Sequence, residues 1–340
     1  MSKIVRFSMA SHGPILLDEI RAAQKRISAD IVRTPLVRLN VDDAPAEIYL
    51  KLENLQPVRA FKIRAASNAM RTMDKRLLEN GVWTVSAGNW ALGLAWAAKK
   101  LGVKCTIVLP THAPETKLEK ILHLGAEVIK VPADKFFEIF VTRTYEGVEG
   151  TFVHAFSDPA VMAGNGTIGL EILEDLPDVD TILVAWGGGG LACGIASAIR
   201  AIKPDVKIHA CEIETAAPLF ASYKSGIAAT NADYVHSFVD GISAPWVLPE
   251  MFDLAKTLID DVLVVSLEET VEAIRLLAVQ NSVVAEGAGA VSVAAALSGR
   301  AGTGKIVCVV SGGSIDLDKL VRARGKVKDI TAHPPDISQR

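Results

Sequence analysis

Cysteine is scarce in this 340-residue chain, and what there is lies scattered. Cys105, Cys193, Cys211 and Cys308 each sit in an apolar stretch, far apart in sequence. Disulfide frameworks and thiolate metal sites need closer or more regular clusters, so these read as buried, reduced thiols of a cytoplasmic protein. The seven histidines show no ligand spacing. Charge of one sign is also missing. The formal balance of -3 gives no electrostatic reason to expect nucleic acid or an anionic membrane as partner. No apolar run reaches the length of a membrane span. The opening MSKIVRFSMASHG has too short an apolar stretch for a secretory signal. Fixed-period repeats and low-complexity tracts are absent as well, which excludes solenoids and linker-like segments.

What remains is a globular balance, 50% hydrophobic and 22% charged, in a chain too long for one ordinary core. Two domains sharing a cleft are expected. Short apolar strands alternate with amphipathic helices. Candidate strands are Glu47–Leu52, Val82–Val85, Cys105–Leu109, Glu127–Val131, Thr181–Ala185, Lys207–Glu212, Val262–Val265 and Lys305–Val310. Helical stretches include Trp90–Leu101, Pro114–Leu124, Thr167–Leu176, Ala192–Ala201 and Glu268–Gln280. Such alternation implies parallel strands joined by helical crossovers. Gly102 and Gly125 mark helix ends, and Pro114 suits a first helical turn. Asn54–Ala60 and Glu146–Thr151 read as crossings between the two lobes.

Four segments carry chemistry. Trp186-Gly187-Gly188-Gly189-Gly190-Leu191 follows a strand and precedes a helix. Consecutive glycines lose backbone entropy on folding, and here they can turn several N–H groups toward a phosphate. No Gly-Lys-Ser/Thr follows, so this is not a P-loop, and the spacing is not that of a dinucleotide fingerprint. In Arg59-Ala60-Phe61-Lys62-Ile63-Arg64, the apolar neighbours of Lys62 can desolvate its amine and favour Schiff-base chemistry. Taken alone, such a lysine is more often a snorkelling helix residue. Ser86-Ala87-Gly88-Asn89 opens a helix and suits a substrate carboxylate, or is an ordinary cap. Val310-Ser311-Gly312-Gly313-Ser314 follows a strand, where open α/β sheets bind ligands, and Ser311 can offer a neutral hydroxyl.

In this order the segments resemble the serine/threonine dehydratase (threonine ammonia-lyase-like) family of fold-type-II pyridoxal-phosphate enzymes. The likeness also takes in Arg33-Thr34-Pro35-Leu36, Lys51-Leu52-Glu53-Asn54-Leu55-Gln56-Pro57 and Ala163-Gly164-Asn165-Gly166-Thr167. It implies an α/β fold of two open, twisted, mainly parallel sheets flanked by helices. A large cofactor-binding domain would take residues 1–52 and 152–330, a small mobile domain 53–151, and a loose tail 331–340. The resemblance also implies a homodimer. It assigns the internal Schiff base and the base at Cα to Lys62, ring packing to Phe61 and the bond to the 3′-oxygen to Asn89. Phosphate would lie on the N–H groups of Gly187, Gly188, Gly189, Gly190 and Leu191, and Ser311 would face the pyridine nitrogen. Ser86, Ala87 and Gly88 would seat the substrate, with Gly241 and Glu286 near the cofactor. Glu212 matches one ligand of a divalent cation found beside the phosphate in some members. Pro218 falls near the place of a second carboxylate, which leaves that cation without a full ligand set.

A serine at the ring nitrogen does not hold it protonated as a carboxylate would. The ring is then a weaker electron sink, and prompt loss of a β-substituent is favoured over a long-lived carbanion. The expected reaction is β-elimination from a β-hydroxy amino acid, giving a 2-oxo acid and ammonia. Several residues depart from the family pattern. Val58-Arg59-Ala60 replace Thr-Gly-Ser, Trp90 replaces histidine, Ala65 replaces glycine and Asn165 replaces glutamine. Arg59 adds a cation and Trp90 a large aromatic face, so both are expected at the substrate and plain threonine or serine is not the expected preference. Ala87 stands where serine racemases place a serine, and alanine cannot move a proton. Racemisation and β-replacement on the same fold are the alternatives, with a non-catalytic binding protein as the reading from another class.

Overall fold

The computed structural model describes residues 13–111, 113, 115–230 and 233–322. Pro114, most of the opening segment and the expected tail 331–340 lie outside the described residues.

Among the described residues ten strands form two sheets: β1 Leu36–Arg38, β2 Glu47–Lys51, β3 Val82–Val85, β4 Cys105–Pro110, β5 Glu127–Val131, β6 Thr151–Phe152, β7 Thr181–Ala185, β8 Lys207–Ile213, β9 Asp261–Val265 and β10 Lys305–Val309. The larger sheet has the order β1-β2-β10-β7-β8-β9, and only β1 runs antiparallel. The smaller has the order β5-β4-β3-β6 and is parallel throughout. The sequence rhythm located eight of these strands. β1 and β6, three and two residues long, are too short to carry a period of their own.

Parallel sheets are covered on both faces, and the strand residues sort accordingly. In the larger sheet Ile182, Val184, Ile208, Ala210, Val307 and Val309 face one apolar core, together with Ile168 and Ile172 of the helix Pro159–Asp175 and Ile195 and Ile199 of Gly190–Ile202. Their alternates Leu183, Ala185, Cys211, Ile213, Ile306 and Cys308 face a second core, built on Gly287–Leu297 and Leu267–Asn281. All four cysteines are buried and free, with burial pushing the Cys105 thiol up to about 12. No helix among the described residues is long and apolar enough to cross a membrane.

Helix ends follow local chemistry. Ser266 and Glu269 form a reciprocal capping box at the start of Leu267–Asn281. Gly102 closes Asn89–Leu101 in the left-handed region at φ 66. Three chemistry-bearing turns leave the carboxyl ends of parallel strands: the glycine run after β7, Ser311 after β10 and Ser86 after β3. β7 and β10 are neighbours in the sheet, so their turns open side by side, as at the ligand crevice of open α/β sheets.

Candidate active site

Lys62 is the first residue of the helix Lys62–Thr72. The strand-like stretch before it is tied to the Ser311 turn. Phe61 donates its N–H to the Ser311 carbonyl (3.0 Å), Gly313 donates to the Arg59 carbonyl (2.8 Å), and Ala60 pairs with Gly312 in an antiparallel bridge. The lysine stem is half-buried, and its ammonium donates to the Ala155 carbonyl at 3.0 Å. The rings of Phe61 and Trp90 stand 5.0 and 5.5 Å from the nitrogen. Burial lowers the amine to about 8.

The glycine run is packed from behind. A Cβ on Gly188 would overlap the Phe156 ring, one on Gly189 the Trp186 indole, and one on Gly190 would stand 2.5 Å from the Phe156 carbonyl oxygen. Gly189 also sits at φ 90, a region that glycine enters without strain. Asn165 donates to the Gly190 carbonyl at 3.0 Å and braces the turn. Among the described residues no acceptor takes the N–H groups of Gly187 to Leu191. They stand at the N-terminus of Gly190–Ile202, the end of a helix that favours an anion. A glycine-walled turn with open amides beside a desolvated lysine fits a phosphorylated aldehyde cofactor.

Asn89 begins the helix Asn89–Leu101 and donates to Glu286 Oε1 at 2.7 Å. Gly312 and Gly241 border the same carboxylate: a Cβ on Gly312 would come 2.5 Å from Glu286 Oε1, and one on Gly241 would stand 3.6 Å from it. Ser311 Oγ is buried and donates to the Ala288 carbonyl at 3.1 Å. Ser86 Oγ accepts from the Gly88 N–H at 3.1 Å and shapes the turn at the start of Asn89–Leu101. The cleft outside this turn is lined by Ala87, Gly88, Asn89, Leu92, Lys120, Ile121, Ser314 and Asp316, so residues of both sheets' connections meet there.

Two residues expected at the substrate have other settings. Trp90 is buried, its indole N–H donates to Thr84 Oγ1 at 2.8 Å, and its ring packs 5.5 Å from the Lys62 nitrogen. Arg59 is exposed at φ 59. The family pattern has glycine at this position, and the left-handed backbone is the physical reason.

Several supporting residues carry no signal in the sequence alone. His154 is buried, and burial, then the charges of Arg143 and Lys62, lower it to about 3. Its Nδ1 accepts the N–H groups of Phe156 (3.3 Å) and Ser157 (3.0 Å), which fixes the segment bearing the Ala155 carbonyl. Beneath Lys62 lies a buried ionic cluster. Arg64 pairs with Glu53 (2.8 Å) and Glu171 (2.7 Å), and Lys51 reaches Glu171 at 2.6 Å.

Glu212 does not fit a cation site. Both its oxygens accept helix N–H groups, from Leu219 (2.9 Å) and Phe220 (2.8 Å), and burial raises it to about 8. No group of three or more potential metal ligands occurs among the described residues.

Residues 27–312 match a family model described as pyridoxal-phosphate dependent enzyme. An L-threonine ammonia-lyase of Thermotoga maritima is 41% identical over 92% of this chain and 79% of its own length. A catabolic L-threonine dehydratase of Escherichia coli is 36% identical over 92% and 97%. Among solved structures, maize serine racemase superposes with a TM-score of 0.84 at 34% identity, covering 92% of this chain and 97% of its own. With the match running over nearly all of the fold just described, the chain belongs to the pyridoxal-phosphate dependent enzyme family.

Proposed function

We propose that the chain is an ammonia-lyase that eliminates the β-hydroxyl of a small β-hydroxy amino acid. The observation that carries this reading is the Lys62 amine, lowered to about 8 and held next to the Ser311 turn by the Phe61 N–H bond. Near neutral pH such an amine exchanges protons readily, as a base at Cα must. The bound cofactor supplies the electron sink that makes the Cα proton removable.

The remaining roles fall to the chain's own groups. The open amides of Gly187 to Leu191 would hold the phosphate. Phe61 would pack by the ring, Asn89 would donate to its 3′-oxygen, and Gly241 and Glu286 would border it. Ser311, a neutral hydroxyl, would face the ring nitrogen without keeping it protonated. The turn of Ser86, Ala87 and Gly88 would seat the substrate α-carboxylate at a helix N-terminus. Lys62 would then take the Cα proton, and the β C–O bond would break as the hydroxyl gains a proton and leaves as water. The released enamine would add water, lose ammonia and become a 2-oxo acid. Ala87 offers no acid/base group on the opposite side, which favours elimination over racemisation.

A substrate other than plain threonine is part of this reading, and so is a homodimer. Support for the former rests with the cleft, since Trp90 is packed inside and Arg59 faces solvent. The test is release of ammonia and 2-oxo acid from threonine, serine, phenylserine and 3-hydroxyaspartate. Wild-type protein should release both and Lys62→Ala neither. A holoenzyme that shows the cofactor absorption band but frees no ammonia from any of the four would overturn the reading. Light scattering at the mass of one chain would remove the dimer.

A further inference from the structure

We propose that Lys120 is a specificity-determining residue that binds a second, side-chain carboxylate of the substrate. This rests on the elimination reading and narrows its substrate to β-hydroxy dicarboxylic amino acids.

Lys120 lies on the exposed face of the helix Glu115–His123. It lines the cleft outside the Ala87–Asn89 turn, together with Leu92, Ile121, Ser314 and Asp316. It is the one cationic residue of that lining. No described carboxylate forms an ion pair with it, and Asp316 pairs with Lys319 at 4.0 Å. Lys120 therefore gives this lining a cation that can receive a carboxylate. On the elimination reading the α-carboxylate takes the open end of the Asn89–Leu101 helix, where Gly88 is the N-cap. What is left for Lys120 is an acid group further along the substrate. Threonine offers a methyl group at Cβ, which gains nothing from a cation. A carboxylate there gains a charge-assisted hydrogen bond.

The test uses holoenzyme, wild type and Lys120→Ala, Lys120→Gln and Lys120→Arg. Binding is read first, without turnover, from the change in cofactor absorbance with L-aspartate and with its isosteric neutral partner L-asparagine. Lys120→Ala and Lys120→Gln should weaken L-aspartate about tenfold, the size of one charged hydrogen bond, and leave L-asparagine within about twofold. Lys120→Arg should restore most of the loss. In steady-state kinetics KM for 3-hydroxyaspartate should rise by a similar factor at nearly constant kcat, with threonine unaffected. Equal weakening of L-aspartate and L-asparagine would assign Lys120 to the α-carboxylate and overturn the proposal, as would no change in either. If no hydroxy amino acid yields ammonia, elimination fails, and the paired titrations still decide the role of Lys120.

Discussion

Phe61 donates its backbone N–H to the carbonyl of Ser311 across 3.0 Å, so the residue before the lysine and the residue due at the ring nitrogen share one hydrogen bond. The proposed base and ring partner come from distant parts of the chain, and this short piece of antiparallel pairing ties their backbones together. Lys62 is the group with most to reveal.

Its lowered amine has a pH signature. Burial takes the native value to about 8 against 10.5 in the unfolded chain. Between these values the unfolded chain holds a proton that the native lysine has lost, so stability of the cofactor-free protein rises with pH across that window. Denaturant midpoints measured from pH 7.5 to 10.5 should rise for wild type relative to Lys62→Met. The rate of cofactor uptake should reach half its plateau near pH 8. A half-point near 10.5 would mean that the amine is solvated.

Arg59→Gly tests the exposed, left-handed position. Relief of the backbone strain, about 1–2 kcal/mol, is partly offset by the freedom glycine gains in the unfolded chain, about 0.5–1 kcal/mol. The variant should be slightly more stable than wild type, with KM unchanged. A several-fold rise in KM would place the guanidinium on the substrate.

Gly188→Ala forces a methyl into the Phe156 ring, and Gly189→Ala adds the strain of φ 90 to a clash with Trp186. Each should destabilise by about 1–3 kcal/mol and weaken cofactor binding at least tenfold, read by equilibrium dialysis. Phe156→Ala combined with Gly188→Ala should recover part of the binding, because the obstruction is that ring.

Arg64→Met strands Glu53 and Glu171 in the interior. The expected loss is about 3–5 kcal/mol by denaturant melt, far beyond that of an exposed pair such as Arg76–Asp74. A loss under 1 kcal/mol would mean that water reaches the cluster.

Exhaustive chelation should leave ammonia release within about twofold of the untreated enzyme, because Glu212 spends both oxygens on the N–H groups of Leu219 and Phe220. Restoration of lost activity by magnesium or calcium would contradict this.

Most of the fold was legible because parallel strands buried on both faces read as continuous apolar runs, as in Thr181–Ala185 and Lys305–Val309. The turns with chemistry were legible for another reason: glycine and small polar residues cluster there against their apolar surroundings. β1 and β6 escaped because two or three residues have no period. The Arg64 cluster escaped because charged residues on helices ordinarily face solvent, and only the packing of Lys62–Thr72 on Pro159–Asp175 turns this one inward. The setting of Trp90 was hidden for a related reason. The first turn of a helix points residues in several directions, and only the structure shows this indole N–H turned to Thr84. Lys120 had no signal at all, since one lysine on a surface helix looks like any other until the opposite wall is in place.

The short stretch from His154 to Ser157 has a consequence for how such an enzyme changes over time. Its Ala155 carbonyl holds the lysine, and its Phe156 side chain backs the glycine turn. A substitution there is felt at both places, so the bond-making centre resists piecemeal alteration. Lys120 and Asp316 belong to the rim and carry none of that framework. Diet can therefore be revised one rim residue at a time while the reaction stays the same.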